Sequence, residues 1–142
     1  MDFKKAKRLL EILAILHIII GMMLPFLIDS WLFTYYNKQL LAAFNTDSAE
    51  AQELGKFMLG ILGPAIASWG VLFLFMVRYA YSTASKAAWF YLLAAIIGWS
   101  AYDMALSIIA GVYLNVIIDL VVLVVLLTPL ILSRSHFLKK SL

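Results

Sequence analysis

The sequence predicts an all-α integral membrane protein: an antiparallel four-helix transmembrane bundle with both termini cytoplasmic. Three observations predict it. Four apolar runs of about 20 residues recur along the chain, and at 1.5 Å rise each would span about 30 Å, the thickness of the hydrocarbon core. The composition is 65% hydrophobic and 13% charged, against roughly half and a quarter in a soluble domain, which leaves too little polar surface for water. The basic residues also alternate. Nine of the eleven lysines and arginines lie in residues 1–8, in 78–86 and beyond the fourth run, whereas the long 29–56 loop holds two and the 108–112 turn none. That is the positive-inside pattern.

The first run extends from Leu9 to Ile28, behind Lys4, Lys5, Lys7 and Arg8. A basic start before an apolar run is also the form of a signal peptide. This run is too long for one, and Asp29, Ser30 and Trp31 stand where a small-x-small cleavage site would. An uncleaved transmembrane helix is expected. Glu11 lies one turn inside it, four residues after Lys7, the spacing of a helical ion pair. Pro25 falls near the far end, where a neighbouring helix can meet the carbonyl that it frees.

Residues 29–56 form the long outer loop. Trp31, Phe33, Tyr35 and Tyr36 have the composition of an aromatic belt at headgroup level. Lys38 to Phe44 can form a short helix on the surface. Asp47-Ser48-Ala49-Glu50 fits a capping box with Asp47 as N-cap, so the second helix should start in water near Ser48. Its membrane part is expected over 57–77. There Gly60, Gly63, Ala67 and Gly70 recur at spacings of three and four, a face on which another backbone can approach closely. Packing within the chain is favoured over a second copy, because four short-linked helices must first pack with one another. Pro64, on the edge of this face, predicts a bend.

The 78–86 segment is the inner loop. The third span, 87–107, opens with Trp89, Phe90 and Tyr91 as an interfacial anchor. The fourth, 113–132, is almost purely aliphatic after Asp119, and Arg134, His136, Lys139 and Lys140 follow it. The terminal Lys-Lys-Ser-Leu has the form of a dilysine retrieval signal, which a basic inner flank explains equally well.

Two carboxyl groups stand where hydrocarbon should be. An aspartate near the bilayer centre costs about 2.5–3.5 kcal/mol on insertion scales, and each aliphatic residue offsets about 0.3–0.6 kcal/mol, so the fourth span can carry Asp119. Counted from the cytoplasmic ends, Asp103 and Asp119 lie at roughly 24 and 20 Å, a depth at which adjacent antiparallel helices bring them together. Ser100, Asp103 and Ser107 share one face of the third helix, and Asn115 and Asp119 one face of the fourth. With His17 and Ser68 nearer the midplane, these could line a polar column from the outer surface. Ionisable residues inside a membrane are proton, cation or ligand sites by default. The alternative is that they act as interhelical glue, worth about 0.6 kcal/mol per bond.

No cysteine is present, which removes disulfides and thiolate ligands. His17 has no second histidine at ligand spacing, so no metal site is expected. No phosphate-binding, nucleophile-elbow or zincin motif occurs, and no cofactor is implied. Three functional classes are compatible with these residues. The first is a non-enzymatic accessory or packing subunit whose polar residues are mainly structural. The second is a small proton- or cation-coupled transporter or binding protein that uses Asp103 and Asp119. The third is an intramembrane enzyme acting on a lipid or isoprenoid. The expected partners are the lipid bilayer and a second copy or a membrane partner protein, with no nucleic acid. Small size and a simple charge pattern point to a bacterial cytoplasmic membrane.

Overall fold

The fold was obtained as a computed structural model, which describes residues 2–46 and 48–138. Among these residues all regular structure is helical: α1 (Phe3–Leu27), α2 (Trp31–Ala43), α3 (Ala49–Thr83), α4 (Lys86–Ala110), α5 (Tyr113–Leu132) and α6 (Arg134–Leu138). Four of them, α1, α3, α4 and α5, are long and apolar enough to cross a membrane, and they correspond to the four expected spans.

Two connections are very short because a residue in the left-handed conformation ends the helix before each. Gly111 takes φ 75°, and the amides of Gly111 and Val112 return to the carbonyls of Ile108 and Ser107, the Schellman geometry. Ala84 takes φ 48° and ends α3, after which Ser85 Oγ accepts from the Ala88 amide to cap α4. These turns fold α3 against α4 and α4 against α5.

The largest interface, however, joins two helices that are not consecutive, α1 and α3. They run antiparallel: Arg78 Nε donates to Glu11 at 3.2 Å near one end, and Gly60 approaches Ile28 near the other. Between these points the backbones meet. A methyl group at Gly21 would overlap the Ala67 amide and the Gly63 carbonyl, and one at Gly70 would stand 2.9 Å from the Ile18 amide. Gly63, Ala67 and Gly70 thus face α1, and Gly60 makes only ordinary contact, 3.7 Å from Ile28. Pro25 has no amide to meet the Gly21 carbonyl, and that oxygen lies against Gly63.

Several elements differ from expectation. The loop helix runs from Trp31 to Ala43 rather than from Lys38 to Phe44. Asn37 seats it on α3 at Gly55, where no side chain intervenes, and donates to the Gln52 carbonyl at 3.3 Å. The N-cap of α3 is Ser48, accepting from the Ala51 amide; Asp47 and the terminal Lys-Lys-Ser-Leu lie outside the described residues. Trp89 is not an interfacial anchor. It is 6% exposed, and its indole donates to the Leu130 carbonyl at 3.0 Å, while Phe90 and Tyr91 remain outside. Phe3, Tyr81, Trp89 and Phe137 pack as an aromatic knot around this end of the bundle, with Tyr81 Oη 2.6 Å from Ser133 Oγ.

Replacing Gly21 by alanine should lower the melting temperature in detergent by several degrees. The backbone conflict, about 1–3 kcal/mol, outweighs the gain in helix propensity of about 1 kcal/mol. At Gly98 a methyl group would meet no other atom within 4 Å, so the same change there should gain stability. Equal shifts at both positions would mean that α1 and α3 do not meet at Gly21.

Candidate functional site

The turn at 111–112 sets α4 and α5 side by side, so that the polar face of one meets the polar face of the other. Asn115 is the hub. Its Nδ2 donates to Ser107 Oγ at 2.7 Å and lies 3.4 Å from both Asp103 Oδ1 and Asp119 Oδ2. One amide nitrogen with two hydrogens is therefore shared among three acceptors. The hydroxyl takes the short bond, and each carboxyl group a long one. No salt bridge reaches Asp103 or Asp119 among the described residues.

Asp119 is 3% exposed and Ser107 is buried, while Asp103 is half-buried. Ser100 shares the face, fully buried one turn further in, and its Oγ has no hydrogen-bond partner among the described residues. An unpaired buried hydroxyl is uncommon.

One end of the cluster is covered by α2. Tyr36 Oη donates to Asn115 Oδ1 at 3.2 Å. Burial first, and then the nearby Asp103 and Asp119 carboxyl groups, push the Tyr36 phenol above its ordinary value. The folded state therefore favours neutral Tyr36. The stability this contributes is present below the ordinary pKa of 10.0 and is lost as pH rises through the higher folded value.

Of the candidate residues, Asp103, Ser107, Asn115 and Asp119 come together. Two others do not join them. His17 lies elsewhere: its Nδ1 donates to the Leu13 carbonyl at 2.7 Å, and its ring rests 5.0 Å from that of Trp69. Ser68 is exposed on α3, so the polar column does not continue through these two. Tyr36 joins the site although its sequence context suggests only a headgroup aromatic. A helical period is present in Phe33, Tyr36 and Leu40, with Asn37 and Leu41 beside it, and these are the positions that α2 turns inward. No group of three or more metal-ligating side chains occurs among the described residues.

Neither a family model, nor a curated protein, nor a solved structure matches the chain.

Asn115→Ala removes the shared donor and should cost about 1–2 kcal/mol of stability. Tyr36→Phe should cost less, about 0.6 kcal/mol, while removing one component from the part of an ultraviolet titration of the tyrosines that lies above the ordinary range. If Tyr36→Phe left the titration unchanged except for a smaller ordinary phase, the phenol would not sit beside the carboxyl groups.

Proposed function

We propose that the chain is a multi-pass protein of the cell membrane, with both termini and the 84–85 turn cytoplasmic. We further propose that the Asp103–Asn115–Asp119 cluster binds and releases a proton or a small cation from the outer side. The orientation is supported by the nine-to-two distribution of lysine and arginine. The observation that carries the functional reading is the charge balance. Two carboxyl groups converge on one neutral amide with no cationic side chain paired to either among the described residues. In a low-dielectric setting such a pair needs a proton or cation to neutralise it. A small proton- or cation-coupled transporter or binding protein fits this arrangement.

The structural reading draws support from a different contact. The 2.7 Å bond from Asn115 to Ser107 ties α4 to α5, as glue in an accessory or packing subunit would. It gives no part to the second carboxyl group.

Melting temperatures in detergent across pH 5–8, for wild type, Asp103→Asn and Asp119→Asn, separate the two readings. A binding site held at the expense of stability predicts that either asparagine raises the melting point and flattens its pH dependence. Replacing choline chloride by sodium chloride at pH 8 should stabilise only the wild type if a cation is the ligand. Loss of stability by a similar amount at every pH, with no salt effect, would assign the aspartates to glue.

A further inference from the structure

Away from the acidic cluster, the side chains around His17 enclose a cleft of about 230 Å³ lined by His17 of α1, Leu62, Ala65, Ile66 and Trp69 of α3, and Trp99 of α4. We propose that this cleft binds the ring of a lipid-soluble phenol or quinol, whose hydroxyl donates to His17 while its tail lies in the bilayer.

Four features specify the ligand. The first is size. A cavity of about 150 Å³ holds benzene, so this one holds a substituted six-membered ring but not a drug-sized molecule, for which about 300 Å³ is the lower bound. The second is the wall. Trp69 and Trp99 present indole rings 6.2 Å apart and tilted by 38°, surfaces that favour offset or edge-on contact with another aromatic ring.

The third is polarity: among the lining side chains the indoles of Trp69 and Trp99 can only donate, and His17 alone has a nitrogen that can accept. The Leu13 carbonyl can only accept, so His17 Nδ1 carries the proton in their 2.7 Å bond. In the neutral ring the other nitrogen, Nε2, is then an acceptor. A ligand for it must bring a donor, which a hydroxyl does and an acyl chain does not. Trp69 stacks on Phe73 at 4.9 Å and rests on His17, so the imidazole is held by packing as well as by its back-bond. The fourth is access. Leu62 and Trp99 are exposed at the rim, among the apolar side chains that would face lipid. The cleft exists because α3 and α4, though joined by a two-residue turn, share a much smaller interface than α4 and α5.

The test uses two probes of equal length, 4-hexylphenol and hexylbenzene, titrated into the full chain in phosphatidylcholine nanodiscs. Tryptophan fluorescence is the readout. The expected result is saturable quenching by 4-hexylphenol at a membrane mole fraction about tenfold below that needed by hexylbenzene. His17→Phe should bring the two curves together, and its unliganded melting temperature reports that the fold is kept. Leu62→Trp, which fills the cleft from its rim, should weaken both probes. Equal binding of the two probes by wild type would overturn the proposal, leaving an apolar cleft that takes acyl chains. Retention of the phenol preference in His17→Phe would overturn it too.

Discussion

In the bilayer proposed for this chain, two helices would gain nothing by hiding apolar side chains from one another, because the solvent is as apolar as leucine. What can hold them is close packing, and α1 and α3 achieve it backbone to backbone. Gly21 enters between Gly63 and Ala67, and Gly70 receives Ile18 and Ala14. The rest of the architecture depends on that seam. It holds α3 where α2 can dock at Gly55, and it presents His17 to Trp69. It also brings Phe3 at the start of α1 to Tyr81 near the end of α3, and the Glu11–Arg78 pair closes its polar end.

The second half is built by a different force. Here α4 and α5 are joined by a tight turn and by polar groups that would be costly to leave unpaired in a low-dielectric interior. Asn115 serves several acceptors at once, and Tyr36 of α2 donates its phenol hydroxyl to the Asn115 side-chain oxygen. The two halves thus divide the work: glycine contacts on one side, and a carboxyl-bearing network covered by α2 on the other. The aspartates sit in the half whose fit does not rely on interlocking backbones.

Much of the fold was legible in the sequence. The four long apolar helices could be read because the length of an apolar run is a property of each segment, independent of its neighbours. The association of Asp103 with Asp119 followed from counting depth along two antiparallel helices. The small-residue face of α3 could be seen in its own spacing. What could not be read was partnership. Gly21, seven residues after Ala14, marks a matching face on α1, but nothing local says that it meets α3 rather than α5. Tyr36 and Trp89 look like headgroup aromatics, since one ring at a span end resembles another. Only the tertiary arrangement gives Tyr36 an amide acceptor and Trp89 the Leu130 carbonyl. The cap at Ser48, one residue past the expected Asp47, is of the same kind, because aspartate and serine are both good N-caps.

The pairing of α1 with α3 has a consequence for biosynthesis. The segment from Ile28 to Thr83 takes about 3–11 s to make at 5–20 residues per second, so α1 must wait that long for its complete partner. Until then the α1 face that carries Ala14, Ile18 and Gly21 lacks the surface it packs on. By contrast, α4 and α5 emerge in succession and can close as a hairpin at once. Assembly would then be a docking of two preformed units, in which the uncovered Ala14–Gly21 face of α1 is the site most vulnerable to a competing helix.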